Sequence, residues 1–289
     1  MPVVLTAPRE RGLSDADLSV AARALAGEVR RLGPASAEIM LESVLPPALE
    51  AVAALLPGID VNAVPAVGRR KRLLVADMDS TIIPVECIDE LADLAGVGAE
   101  VAAVTGRAMR GELDFDGALE ARVALMAGAD AGLIDLVLAE RITLNPGART
   151  LVATMAAHGA HTMLVSGGFT AFAGPVAGRA GFAEVRANTL GIADGRLSGS
   201  VGLPILGREA KLEAMDGALA ARGLSTADAL AVGDGANDLA MVRSAGLGVA
   251  FRAKPALAAE ADARIEHAGL DALLALQGYA EGEIVTQTA

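Results

Sequence analysis

Asp77 and Asp79 stand one residue apart at the end of a short apolar run, Leu73-Leu74-Val75-Ala76, and the hydroxyls of Ser80 and Thr81 follow them. Two carboxylates held that closely repel each other unless a cation, a shared proton or a catalytic role offsets the repulsion. Three further groups carry complementary chemistry. Gly233-Asp234-Gly235-Ala236-Asn237-Asp238 sets two aspartates among glycines that let the backbone approach closely, a pattern suited to a hard cation that takes oxygen ligands. Ser166-Gly167-Gly168 places a hydroxyl and a glycine pair before an expected helix, where free N–H groups make a cradle for an anion. Lys211 falls in the first turns of a later helix, where the helix dipole opposes a cation. A fixed positive charge set against an aspartyl nucleophile and a phosphoryl group would account for it. Taken singly, each pattern has a plainer reading: an acidic solvated loop, an Asp- and Asn-rich turn, a strand-to-helix turn that binds nothing, a solvated lysine. Their succession at the ends of expected strands favours the chemical reading.

The elements that position these groups follow from periodicity. An apolar run of four bounded by charge predicts a buried strand of a parallel sheet, and ligands of such sheets sit at the carboxyl ends of strands. The next strand, 161–165, arrives much later than the dozen or so residues that a parallel crossover requires. The excess predicts an inserted helical cap over 84–143, with helices at 86–94, 101–109, 118–126 and 131–140 broken at Gly111 and Gly128. Caps of this kind close over substrate and exclude water. From Asn145-Pro146-Gly147 the chain returns to alternation. Helices are expected at 147–158, 169–179, 208–222, 238–245 and 255–261, with strands at 229–232 and 247–251. A hairpin within 188–201 should turn at Asp194-Gly195. Residues 67–83 and 144–289 thus form a doubly wound, Rossmann-like α/β core.

Residues 1–66 read as a small α+β module. A strand at 3–5 precedes a helix that Ser14 caps and that runs to about Arg31. A strand at 37–41, a helix at 46–56 and an apolar stretch at 59–64 complete the order βαβαβ. No catalytic cluster appears there. The basic run Gly68-Arg69-Arg70-Lys71-Arg72, directly before a buried strand, is expected to be a solvated linker.

Composition narrows the function classes. A net charge of −12, 2% aromatic residues and no tryptophan argue against stacking on nucleic acid and against anionic membranes. A phosphate-bearing substrate stays open, because a bound divalent cation can dominate the local field. The single cysteine, Cys87, excludes an intrachain disulfide and a thiolate metal site, and fits a reducing compartment. The charged N-terminal segment lacks the apolar core of a signal peptide, and no apolar run is long enough to span a bilayer. The expected location is the cytoplasm.

The order Asp-x-Asp-x-Thr, Ser-Gly, Lys and Gly-Asp-x-x-x-Asp resembles the haloacid dehalogenase superfamily of aspartyl-nucleophile phosphotransferases. Within it, residues 72–275 are similar to the phosphoserine phosphatase family. The match rests on Asp77-Met78-Asp79-Ser80-Thr81, Glu86-Cys87-Ile88-Asp89-Glu90 and Met109-Arg110-Gly111-Glu112-Leu113-Asp114-Phe115. Ser166-Gly167-Gly168-Phe169-Thr170 and Gly233-Asp234-Gly235-Ala236-Asn237-Asp238 complete it. The resemblance implies hydrolysis of phosphoserine, the last step of serine biosynthesis. Asp77 would be the nucleophile and Asp79 the acid and base. Mg²⁺ would be held by the carboxylates of Asp77 and Asp234 and the main-chain carbonyl of Asp79. Ser166, the Gly167 N–H and Lys211 would hold phosphoryl oxygens with Asn237 close by, and Asp238 would orient the loop or Lys211. Glu86 would meet the substrate ammonium and Arg122 its carboxylate, while Phe115 and Met109 would seal the pocket. Transfer of the phosphoryl group to another small alcohol and hydrolysis of another phosphorylated metabolite are the neighbouring readings. In relatives with an extension, the N-terminal region resembles an ACT-type domain of order βαββαβ. One strand is expected between the two helices here, so the module looks abbreviated; regulation, pairing of two copies and a purely structural role are its candidate tasks.

Overall fold

The structure is a computed structural model and describes residues 1–286. Its N-terminal module comprises β1 (Pro2–Thr6), α1 (Asp15–Leu25), β2 (Val29–Gly33), β3 (Ser36–Met40), α2 (Pro46–Leu55) and β4 (Asp60–Ala63). A central sheet then takes β5 (Leu73–Ala76), β6 (His161–Phe169), β7 (Glu184–Asn188), β10 (Ala229–Gly233), β11 (Leu247–Phe251) and β12 (Ala263–Ile265). Four helices are inserted after β5: α3 (Cys87–Leu94), α4 (Gly98–Met109), α5 (Phe115–Leu125) and α6 (Leu133–Glu140). A hairpin of β8 (Leu190–Ala193) and β9 (Arg196–Val201) follows β7. The remaining helices are α7 (Ala148–Ala157), α8 (Thr170–Ala180), α9 (Arg208–Ala220), α10 (Leu239–Ser244), α11 (Pro255–Ala258) and α12 (Ala272–Leu276).

The six central strands lie in the order β12-β11-β10-β5-β6-β7 and every neighbouring pair is parallel. The doubly wound core expected from the alternating pattern is therefore present. β5 shows why the run Leu73–Ala76 had to be apolar throughout. Side chains alternate across a strand, so Leu73 and Val75 pack with Met215, Leu219 and Met241 on one face. Leu74 and Ala76 pack with Leu151, Met155 and Phe172 on the other. Both faces are covered, as parallel sheets require. The chain adds β6 and β7 on one side of β5, then β10 to β12 on the other, so the order reverses between β5 and β10. Ligands of open α/β sheets bind at that switch point, outside the carboxyl ends of the strands.

The N-terminal module corrects the expected order. Its sheet is antiparallel, β2-β3-β1-β4, and two strands, not one, separate its helices. The module therefore has the full order βαββαβ. Ser14 caps α1 as expected, and Asp17 completes a capping box with it, but α1 stops at Leu25, short of the expected Arg31, with Ala26 in the left-handed region. Leu25 and Leu32 are spaced as on a helix face, and Arg30 and Arg31 are good helix formers, which hides β2. Just past the left-handed cap at Ala26, Gly27 packs so closely that a Cβ there would lie 2.4 Å from Ile39 Cγ2.

The basic run is solvated only in part: Gly68, Arg70 and Arg72 are exposed, whereas Arg69 and Lys71 are drawn into the fold. Arg69 donates to Glu38 at 2.8 Å and to the carbonyls of Ala275 and Leu276, and Glu38 is buried. Lys71 is buried and donates to the Ala227 carbonyl at 2.8 Å. Arg70 lies 4.2 Å over the Tyr279 ring and pairs with Glu283. Further along the seam, Asp60 accepts from the N–H groups of Glu266, His267 and Ala268. Asn62 bonds both the N–H and the carbonyl of Arg264. Burying these polar groups is tolerable because each is paired.

Candidate active site

β5 ends into a turn in which Asp77 donates its N–H to the Val232 carbonyl of β10 at 3.0 Å. That bond sets Asp77 directly at the switch point. The chain then reverses through Ser80, whose φ of 58° is left-handed, and enters α3. The turn aims Asp77 and Asp79 at different partners.

Asp77 is buried, and Lys211 of α9 donates to its Oδ1 at 2.5 Å. The same ammonium donates to Asp238 Oδ1 at 2.6 Å, while Asp238 Oδ2 accepts the N–H groups of Asp234 and Gly235. Asp238 thus uses both oxygens to fix Lys211 and the loop after β10. A side chain on Gly233 is excluded there, since its Cβ would lie 2.4 Å from Asp238 Cγ. Asp79 has neutral donors instead: the Cys87 N–H at 2.8 Å on Oδ1 and the Ser166 hydroxyl at 3.0 Å on Oδ2. The Ser166 hydroxyl accepts in turn from the Gly168 N–H at 2.8 Å. A Cβ on Gly168 would stand 3.1 Å from Asp79 Oδ2, so any larger residue there would crowd the Asp79 carboxylate.

Carboxylates outnumber cations here. Burial, and after it Asp238, push the Asp77 carboxyl well above the usual range against the pull of Lys211. Burial also raises Asp79, with the Cys87 N–H and the Ser166 hydroxyl opposing, and it raises Asp234, with Lys254 opposing. Burial works against the charge of Lys211, yet Asp77 and Asp238 hold it above the ordinary lysine value. Carboxylate oxygens of Asp77, Asp234 and Asp238 all lie within 4.8 Å of one another. A donor set made only of carboxylate oxygens fits a hard divalent cation. Because Asp238 is already committed, Asp77 and Asp234 are the members free to face one. The Asp79 carboxylate is not in this cluster.

A cavity of about 470 Å³ opens over these groups, a size typical of small-molecule sites. Asp77, Asp79, Asp234, Gly167 and Asn237 line its floor, and Glu86 and Arg122 line the side facing the inserted helices. Ser166 and Lys211 are buried behind that wall. Glu86, just before α3, accepts from the Ser80 hydroxyl at 2.8 Å, and burial followed by Asp79 raises its carboxyl to about 7. Arg122 of α5 donates its Nε to the Ala118 carbonyl. Burial lowers its pKa, with Asp89 and Glu86 opposing. Phe115 reaches over the loop, its Cζ 3.0 Å from where a Gly167 Cβ would be. Met109 lines the cavity and is 77% exposed, which places it at the rim.

Two participants escaped the sequence patterns. Lys254 lies beyond the end of β11, its Nζ 3.6 Å from Asp234 Oδ2 and its N–H on the Asp234 carbonyl at 2.8 Å. The signal was one more strand end, Phe251-Arg252-Ala253-Lys254, before a proline-started helix. Asn188, at the end of β7, donates to the Gly167 carbonyl at 2.9 Å; a lone asparagine after a strand carried no pattern.

The family model for haloacid dehalogenase-like hydrolases matches residues 74–243. The phosphoserine phosphatase of Streptomyces coelicolor is 46% identical over 230 residues, which make up 78% of this chain and 56% of that protein. The chain therefore spans little more than half the length of this curated relative. A Vibrio cholerae structure described as a probable phosphoserine phosphatase, unliganded, matches with a TM-score of 0.82 at 32% identity, covering 98% of this chain and 87% of that one. A phosphoserine phosphatase solved as a phospho-aspartyl intermediate analogue matches with a TM-score of 0.63 at 38% identity, covering 68% of this chain and 94% of that one.

Proposed function

The chain belongs to the haloacid dehalogenase-like hydrolases, and from that membership we propose that it is a Mg²⁺-dependent phosphatase that hydrolyses O-phosphoserine to serine and phosphate through an aspartyl-phosphate. The observation that carries this reading is the contrast between two carboxylates on one strand end. Asp77 faces an ammonium at 2.5 Å, whereas Asp79 faces only neutral donors. Lys211 pulls Asp77 toward the anionic form that a nucleophile needs, against burial and Asp238, and among the described residues no cation bonds Asp79 to strip the proton that a general acid needs.

In this reading an Asp77 oxygen attacks phosphorus in line, and the bond to the serine oxygen breaks. Asp79 gives its proton to that leaving oxygen, then takes one from the water that cleaves the aspartyl-phosphate. Ser166, the Gly167 N–H and Lys211 hold phosphoryl oxygens, with Asn237 beside them. The carboxylates of Asp77 and Asp234 and the main-chain carbonyl of Asp79 would hold Mg²⁺, which when bound offsets phosphate charge so that an anion can approach. Glu86 pairs with the substrate ammonium and Arg122 with its carboxylate, a bidentate match.

We assign residues 84–143 as the cap, 67–83 and 144–289 as the catalytic core, of which 287–289 lie outside the described residues, and 1–66 as a separate module. Exposure of Met40, Leu45 and Leu55 at 54%, 73% and 58% supports pairing of two copies through that module. The lone free Cys87 supports a cytoplasmic location, and among the described residues no helix is long and apolar enough to cross a membrane.

The test is phosphate release from a panel of phosphorylated metabolites with Mg²⁺ or with EDTA. Phosphoserine should lead the panel and EDTA should abolish release. Preference for a phosphate ester lacking an ammonium or a carboxylate would overturn the substrate assignment, and serial transfer to added alcohols in place of water would overturn hydrolysis.

A further inference from the structure

The groups that would hold the phosphoryl oxygens arrive on two separate segments. Gly167 belongs to the irregular stretch of β6 between Val165 and Phe169, where the register with β7 shifts, and Lys211 rides on α9, which the segment through Leu206 and Gly207 introduces. Between them the chain leaves the core to form β8 and β9, so chain connectivity alone does not hold the two in register.

Asn188 does so directly. It ends β7, pairs in register with Phe169 of β6 and is 2% exposed. Its Nδ2 donates to the Gly167 carbonyl at 2.9 Å and more weakly to the Leu206 carbonyl at 3.4 Å, while its Oδ1 accepts the Leu206 N–H at 2.7 Å. An asparagine side chain offers two donor hydrogens and an oxygen with two lone pairs, and the three hydrogen bonds it makes here all go to the backbone of those two segments. Burying an amide is costly without such bonds, so the amide is committed to this geometry. The inserted helices meet the same two segments: the Phe115 ring lies 3.0 Å from a Cβ placed on Gly167 and 3.8 Å from one placed on Gly207.

We propose that Asn188 is a positioning residue that fastens the Gly167 loop to the Leu206–Gly207 segment, so that the loop N–H and Lys211 meet one phosphoryl group and Phe115 finds a single seat across both. The assignment rests on the phosphatase reading and deepens it. Asn188 touches no substrate; it acts through the peptide at Gly167 and through the entry to α9.

The test compares Asn188→Ala and Asn188→Asp with the wild type, all with Mg²⁺. Asn188→Asp keeps the acceptor for the Leu206 N–H and turns an oxygen toward the Gly167 carbonyl. Both variants should lose turnover by about 10- to 100-fold, the effect usual for residues that orient reacting groups. The loss should be equal on phosphoserine and p-nitrophenyl phosphate, because the phosphoryl group is common to both. Orthovanadate affinity, read by calorimetry, should weaken by about the same factor. A variant with a lower melting midpoint but wild-type turnover and vanadate affinity well below that midpoint would reduce Asn188 to a structural role and overturn the proposal. So would a loss confined to phosphoserine. Calorimetry needs no turnover, so an inactive wild type that binds vanadate sinks the hydrolase reading and still tests Asn188. A wild type that neither turns over nor binds vanadate overturns both.

Discussion

Replacing Asp77 by Asn removes a charge while keeping the shape, and Lys211 retains Asp238 as a partner at 2.6 Å. Asp77→Asn should therefore lower phosphate release by about a thousand-fold or more with a melting midpoint unchanged or higher, because a buried carboxylate raised by its neighbour Asp238 is gone. Substantial residual activity in purified enzyme would remove Asp77 as the nucleophile. Asp238→Ala is the opposite case. It strips the N–H groups of Asp234 and Gly235 of their acceptor and leaves Lys211 with one partner. Breaking a buried pair of this kind costs about 3–5 kcal/mol, which a urea titration would read as a lower midpoint at constant slope. At the substrate end, Arg122→Ala should cut kcat/KM for phosphoserine by roughly 100-fold and leave p-nitrophenyl phosphate nearly unaffected, since only the former presents a carboxylate to the guanidinium. Equal losses on the two substrates would take Arg122 out of recognition.

At the scale of elements, what makes the molecule coherent is contact between segments remote in sequence. The Asp60 carboxylate of β4 accepts three N–H groups from residues 266–268 of the core. Asp60→Ala leaves the buried Ala268 N–H and two part-buried N–H groups without their acceptor and should cost on the order of 2 kcal/mol, seen as earlier proteolytic separation of the N-terminal module from the core. Such pairings explain which elements could be read from the chain. The strand ends carrying Asp77 and Asp234 were legible because a fully apolar run must stop where the sheet meets ligand, and acids and glycines mark the stop; Ser166 instead lies inside β6, which runs past the expected end at 165 to Phe169 through a shift in register with β7. β2 was not, because Leu25, Arg30, Arg31 and Leu32 suit a helix, and the left-handed turn at Ala26 with the close packing of Gly27 on Ile39 carries no sequence mark. The basic run read as solvated because its partners, Glu38 and the Ala275 and Leu276 carbonyls, lie far from it in the chain. Asn188 escaped for the same reason: its meaning resides in two backbone segments that only the fold brings together.

For the molecule as a whole, the crowded carboxylates couple stability to pH and to cation. Glu86 is raised from 4.5 to about 7 in the folded protein, so the folded state binds the proton more tightly than the unfolded chain. The resulting penalty is absent below about pH 4.5, grows as pH rises toward 7 and is complete above it. Asp77, Asp79 and Asp234 shift in the same direction. Metal-free protein should therefore melt at a lower temperature at pH 8 than at pH 6, and added Mg²⁺ should raise the midpoint more at pH 8, where the ligands are already ionised. A larger rise at pH 6 would contradict a carboxylate site. The seam between module and core has a separate consequence. Asn62 bonds both main-chain groups of Arg264 on β12, the last strand of the central sheet, so one side chain does there what a neighbouring strand would do. A chain begun at residue 67 would present β12 with that row unpaired, and bare strand edges recruit other chains. Shortening the protein in this way should thus yield larger species on gel filtration, with the N-terminal module acting as a guard against self-association of the core.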